Sequence, residues 1–371
     1  MKGSRANRDF LDDLQRKPLI GYQPPAYPGP PDPDGARRRR WLHMEGNTNL
    51  LGPNPVLKRL AGSLAEMEVN QYPSEHSDDL RAALAGRWRV DPAQIVVGNG
   101  SDEVLDLLTK AFINPGDRIA YPSPSFVMYG FYAKVNLGKP TPVPLLGARF
   151  SLDVNGLIAA RAPLTIVASP NNPTGNAFPR EELERLLDRA RGLVVIDEAY
   201  AEYAGQDFIR EVKRRPNLVV TRTFSKAYGL ASLRIGYAIG PESVIQRVYR
   251  AKPPYNVSGI GERIAIAALR QPGFAKRSVV LIARERGALT AELSALGFAV
   301  HPSDANFLAA DSPVPAATLC EALRDRGILV KWLGSALGGP RGSVRITVGT
   351  RAQNLRLVGA IRTILREVRD A

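Results

Sequence analysis

The sequence predicts an α/β protein with a mostly parallel sheet, followed by a smaller α+β domain. Three observations lead there. First, short β-branched runs recur: IVVG (95–98), RIAY (118–121), TIVA (165–168), LVVI (193–196), LVVT (218–221) and, within LRIGYAI, a further strand at 233–239. They lack polar alternation, as strands buried on both faces do. Second, segments of helical periodicity such as EELERLLDRARG (181–192) lie between several of them, and strand–helix alternation argues a parallel sheet with helices on both faces. Third, the pattern changes after Tyr255. A long helical stretch (275–296) precedes FAVHP, NFLAA, a helix over 316–325, ILVKW, VRITV and a last helix with Thr350 as its expected N-cap. The expected division is a large domain over 49–255 and a small one made of 1–48 with 256–371.

Composition bounds the function. The chain has 371 residues, 44% hydrophobic and 23% charged, which suits a soluble protein of about two domains. No run of about 18 apolar residues predicts a membrane span, and the charged start MKGSRANRDF has no signal-peptide core. The single cysteine, Cys320, excludes an internal disulfide framework. A cytoplasmic protein is expected. The formal charge of +14 fits nucleic-acid binding or the handling of small anions. The Arg37 to Arg40 run follows a proline-rich segment and reads as a solvated loop, with no nucleic-acid-binding signature beside it. His43, His76 and His301 have no metal-ligand spacing, so no metal is expected.

In open parallel sheets, ligands bind at the carboxyl ends of strands. After IVVG, Gly100, Ser101 and Asp102 open a helix whose N–H groups suit a phosphate, or simply cap a helix. After TIVA comes PNNPTG (170–175), a turn carrying two asparagine amides. After LVVI comes DEAYAEY, where Asp197 needs a cationic or N–H partner. After LVVT comes TFSKAYGLASLRIGY (223–237). A lone loop lysine is most often a surface residue. Near apolar neighbours, Lys226 can instead serve as nucleophile or base. Lys226 and Arg234 must face one ligand, so the chain between them is expected to bend at Gly229.

A lysine amine, a strand-end carboxylate, an asparagine, a tyrosine and a phosphate cradle together match pyridoxal phosphate. SPNNPTG, DEAY, SKAYGLASLRIGY and RITVGT, in this order, make the chain resemble the fold-type I pyridoxal-phosphate-dependent aminotransferases, with an aspartate aminotransferase-like large domain. Within them it is most similar to the histidinol-phosphate aminotransferases, over nearly its whole length. The resemblance implies that Lys226 forms the aldimine and acts as base, that Asp197 pairs with the pyridine nitrogen, and that Asn172 and Tyr200 bond the phenolic oxygen. It implies that Gly100, Ser101, Asp102, Thr223, Ser225 and Arg234 surround the cofactor phosphate and that Phe126 stacks on the ring. Tyr72 is implied to reach the neighbouring subunit's phosphate, hence a homodimer with shared active sites. Arg345, Lys331, Asn306 and Tyr22 are implied to bind substrate, and an amino donor and a 2-oxo acid are the implied partners, without nucleic acid or membrane.

Two departures bear on the substrate. The family's NEN-P pattern is NTNLLGP here, with Thr48 and Leu50 in place of the acid and the proline. Lys331 stands where a second phosphate-binding arginine is usual, and lysine binds without a fork. Transamination of histidinol phosphate with 2-oxoglutarate, by a ping-pong route, is the expected activity. An aminotransferase for aromatic or other amino acids, a phosphothreonine-type decarboxylase and a cofactor-sensing regulator are the alternatives.

Overall fold

A computed structural model describes residues 41–370, with Arg16 and Leu19 before them. Tyr22 and the Arg37 to Arg40 run lie outside the described residues. From residue 41 the chain runs through strand β1 (Leu42–His43) and helices α1 (Val56–Ala65) and α2 (Asp78–Trp88). The central sheet follows, with strands β2 (Ile95–Asn99), β3 (Arg118–Ser123), β4 (Lys139–Pro144), β5 (Leu164–Ala168), β6 (Leu193–Asp197), β7 (Leu218–Thr223) and β8 (Ile235–Ile239). Their order is β2-β8-β7-β6-β5-β3-β4. Helices α3 (Ser101–Phe112), α4 (Met128–Val135), α5 (Val154–Ala159), α6 (Arg180–Arg189) and the short α7 (Ala201–Ala204) lie between these strands, and α8 (Glu242–Tyr249) follows β8.

Each β-branched run of the sequence falls in a strand of this sheet, but the strand expected over 233–239 starts only at Ile235, because Leu233 closes a 3-10 turn and Arg234 is left-handed, with φ 54. Successive residues go to opposite faces, as the pleat requires. Val97, Val167 and Val220 join one core, while Val96, Ile166 and Val219 join the other. Two features escape sequence patterning. Strand β8 runs antiparallel to both of its neighbours, a choice that side-chain hydrophobicity does not encode. Strand β4 is KPTPVP, which reads as a loop because proline cannot donate to a ladder. It survives as an edge strand paired only with β3. Pro140, Pro142 and Pro144 alternate, so their missing N–H positions all face outward.

Beyond β8, α9 (Gly259–Arg270) packs Ile264, Ala265 and Ala268 onto the first core. The long α10 (Gly273–Ala295) belongs instead to a third core. That core includes β9 (Ala299–Val300), β10 (Phe307–Asp311), α11 (Ala316–Asp325), β11 (Ile328–Leu329), β12 (Lys331–Gly334), β13 (Ser343–Thr347) and α12 (Arg351–Asp370), and its buried members include Phe307, Ile346 and Leu357. Four of these strands form an antiparallel sheet, β12-β13-β10-β9. Strand β1 pairs with β11 in parallel, and Leu42 and Met44 are buried in this third core. Thr350 does precede α12, but its hydroxyl donates to Gln353 Oε1 at 3.0 Å instead of accepting a helix N–H. Among the described residues no helix is long and apolar enough to cross a membrane.

Candidate active site

The carboxyl ends of β5, β6 and β7 open into a cavity of about 190 Å³. Its wall contains Ser101, Asp102, Phe126, Asn172, Asp197, Tyr200, Thr223, Ser225, Lys226, Arg234 and Arg345, all singled out from the sequence. They come from six separate segments of the chain. The sheet brings them together because consecutive parallel strands all end on one side.

Lys226 sits in the loop after β7. Its Nζ donates to Gly46 O at 3.3 Å and stands 5.5 Å from the Tyr200 ring centroid. The expected bend is present: Gly229 has φ 65 and Arg234 has φ 54, and Leu230 N returns to Phe224 O at 3.0 Å. A side chain at Gly229 would meet Phe274 Cε1 at 2.9 Å. Two asparagines that sequence reasoning did not single out hold this loop. Asn49 Nδ2 donates to Ala227 O at 3.0 Å, and Asn54 Nδ2 donates to Tyr228 O at 2.8 Å.

Asp197 closes β6 and is 5% exposed. Thr221 Oγ1 donates to its Oδ1 at 3.0 Å, and Tyr129 Oη donates to its Oδ2 at 2.7 Å. Burial pushes the carboxyl up from its ordinary value, and these two donors pull it back. Neither partner was singled out from the sequence. Thr221 becomes a partner only through the register that sets it opposite Asp197, and Tyr129 stands three positions beyond Phe126 in the same segment. Tyr200 Oη accepts from Asn47 Nδ2 at 3.0 Å, leaving its own proton to donate. Asn47 and Gly46 also line the cavity and were not predicted.

At the phosphate-like end, α3 begins at Ser101. Arg234 Nη2 reaches Asp102 Oδ2 at 3.0 Å, and Thr223 Oγ1 accepts from Ser225 N at 3.1 Å. The start of α3 lies hard against β8. A Cβ at Gly236 would come within 2.1 Å of Ser101 N. Backbone cannot yield as a side chain can, so Gly236→Ala is expected to cost about 1–3 kcal/mol. A lower urea midpoint with unchanged slope is the measurement.

Arg345, on β13, separates this cavity from a wider cleft of about 1230 Å³ that it also lines, together with Lys331, Trp332 and Lys134. Its Nη1 donates to Asn172 Oδ1 and its Nη2 to Glu45 O, each at 2.6 Å, and its buried Nε has no hydrogen-bond partner among the described residues. Burial pulls the guanidinium down from its ordinary value. Lys331 is its direct cross-strand partner. The two adjacent asparagines of PNNPTG divide: Asn172 reaches the cavity, while Asn171 bonds Pro124 O and Thr174 Oγ1 within the turn.

Three expected site residues are on neither the cavity wall nor the cleft: Gly100, which directly precedes Ser101 at the start of α3, Asn306 and Tyr72. Asn306 is 1% exposed and is absent from the cavity wall. Its Nδ2 donates to Asn47 O at 3.0 Å, so it braces the residue that bonds Tyr200. Tyr72 is 82% exposed, stacked on Tyr255 with ring centroids 4.8 Å apart, and does not line this chain's own cavity. Among the described residues no cluster could hold a metal ion.

An amine and a buried carboxylate thus share one cavity at the carboxyl ends of a parallel sheet, where ligands bind in such folds. The profile of the family "Aminotransferase class I and II" matches residues 41–361, and the chain belongs to that family. A histidinol-phosphate aminotransferase of Symbiobacterium thermophilum is 38% identical over 353 residues, covering 92% of this chain and 96% of that one. Among solved structures, histidinol-phosphate aminotransferase from Sinorhizobium meliloti, in complex with pyridoxal-5'-phosphate, matches with a TM-score of 0.83 at 28% identity. The match covers 95% of this chain and 98% of that one. L-threonine-O-3-phosphate decarboxylase from Porphyromonas gingivalis matches with a TM-score of 0.78 at 27% identity over 88% of this chain and 99% of that one.

Proposed function

We propose that the chain is a pyridoxal-phosphate-dependent aminotransferase that converts histidinol phosphate and 2-oxoglutarate to imidazole acetol phosphate and glutamate. The observation that carries this reading is one cavity walled by both Lys226 and Asp197, with Arg345 between it and the wider cleft. The residues fit the cofactor. Ser101, Thr223, Ser225 and Arg234 would hold its phosphate, and Gly100 and Asp102 belong to the same cradle. Asp197 would hold positive charge at the ring nitrogen, Asn172 and Tyr200 would bond the phenolic oxygen, and Phe126 would cover the ring. Once bound, this cofactor supplies an electron-withdrawing conjugated ring. Lys226 Nζ would carry the proton between the substrate carbon and the ring system, and among the described residues it is the only amine on the cavity wall.

Arg345 supplies a fork for the carboxylate of glutamate. Lys331 faces it directly across β12 and β13. Like charges placed opposite each other repel, so an anion between them relieves the pair. This supports a substrate with a phosphate or a second carboxylate. Arg345→Lys keeps the charge but loses the fork, and it is expected to raise the KM for glutamate about ten- to a hundredfold. Steady-state kinetics measure this.

Tyr22 joins the substrate contacts in this reading. A homodimer with shared sites is part of it, supported by the exposed apolar side chains of Val69, Tyr72 and Tyr255. So is the division into a large and a small domain, although the packing of α9 on the first core favours a boundary near 271. The single cysteine supports a cytoplasmic location.

The deciding experiment is a donor panel with purified protein and added cofactor. Transamination of histidinol phosphate ahead of phenylalanine and the other donors supports the reading, and the reverse order overturns the substrate. Carbon dioxide release from phosphothreonine without a 2-oxo acid favours the decarboxylase, to which the fold is also similar.

A further inference from the structure

A carboxylate offers about four acceptor positions. Asp197 Oδ1 accepts from Thr221 Oγ1 at 3.0 Å and from Ala199 N at 3.3 Å, which fills that oxygen. Among the described residues Oδ2 accepts only from Tyr129 Oη, at 2.7 Å. One acceptor position remains, on Oδ2, and Asp197 lines the cavity. Tyr129 is itself fully buried, on α4, held edge-on by Phe126 and Tyr121 with ring centroids 5.6 and 6.1 Å away. Its hydroxyl therefore has little freedom to swing from the carboxylate.

We propose that Tyr129 is a positioning residue that locks Asp197 so that its one unfilled acceptor position faces the cofactor ring nitrogen, and that keeps the carboxylate ionised there. The proposal rests on the cofactor reading above. The need for such a donor is visible in the surroundings. Asp102 is a second carboxylate acting on Asp197, and Tyr132 and Tyr200 are the other titratable groups beside the pair. Among the described residues no cation is ion-paired with Asp197. Three hydrogen-bond donors, not a counter-ion, offset the burial of this charge.

Tyr129→Phe keeps the ring packing and removes only the hydroxyl. Without it Asp197 is easier to protonate and anchors positive charge at the ring nitrogen less firmly, so the Lys226 nitrogen conjugated to that ring loses its proton at higher pH. The test loads wild-type, Tyr129→Phe and Thr221→Val proteins with pyridoxal 5'-phosphate and titrates their visible absorbance against pH. The expected result for Tyr129→Phe is a midpoint raised by about one pH unit, with cofactor affinity about tenfold weaker. In addition, kcat falls while the KM for glutamate holds. Thr221→Val is expected to shift the midpoint less, in the same direction, because Oδ1 keeps the Ala199 N–H. Circular dichroism establishes that each variant is folded. A Tyr129→Phe protein whose midpoint and affinity match the wild type overturns the proposal. A wild-type protein with no cofactor-dependent absorbance overturns the cofactor reading and this inference with it.

Discussion

Lys226→Ala is expected to lower the transamination rate at least about ten-thousandfold while leaving the fold intact. Among the described residues no other amine lines the cavity, so both the covalent anchor and the base disappear together, and effects of that kind are worth several orders of magnitude. The loop itself is held by backbone carbonyls that accept from Asn49 and Asn54, and these bonds survive the truncation. The fold therefore outlasts the activity. Steady-state rates and circular dichroism measure the two separately. Borohydride treatment followed by mass spectrometry should place added cofactor mass on the peptide bearing Lys226 in the wild type and nowhere in the variant. An alanine variant with more than about a hundredth of wild-type activity would sink the assignment.

The second large effect is on stability. Glu198 directly follows Asp197 at the end of β6, and Arg222 follows Thr221 within β7. Their side chains are 2% and 4% exposed, and Arg222 Nη2 lies 2.7 Å from Glu198 Oε2. Arg222 Nη1 also reaches Glu202 Oε1 at 3.0 Å, and its guanidinium sits 5.1 Å from the Trp88 ring centroid. The two glutamates hold Arg222 protonated, above its ordinary value even against burial. Glu198→Ala leaves that buried cation with Glu202 alone and removes the acceptor of Phe208 N. Breaking a buried pair from one side costs about 3–5 kcal/mol, so a large drop in the urea midpoint is expected. Replacing the pair together, Glu198→Leu with Arg222→Met, should recover most of the loss, because well-packed apolar residues often match a buried pair. A cost below about 1 kcal/mol for Glu198→Ala would refute this account.

The two predictions differ in how far the sequence foreshadowed them. Lys226 was legible because local composition marks it: a polar loop with lysine and arginine, straight after a β-branched strand. Asp197 was legible in the same way, as a carboxylate ending an apolar run. Glu198 follows it directly and carries no such mark. Its role depends on where the chain turns after β6 and on Arg222 standing beside it from β7. Asn306 shows the opposite error. Its motif suggested the substrate pocket, yet the packing turned it toward Asn47 O.

By itself, the sequence determined the strand set of the central sheet other than β4, the family, and the reagents at the strand ends, because hydrophobic runs and short motifs are local. Tertiary structure alone decided that β8 runs antiparallel, that a triproline segment becomes an edge strand, and that Tyr129 and Thr221 hold Asp197 while Asn49 and Asn54 hold the Lys226 loop. Each of these depends on register and approach between segments far apart in the chain. Hydrogen bonds of that kind have a partner only after the backbone has been placed.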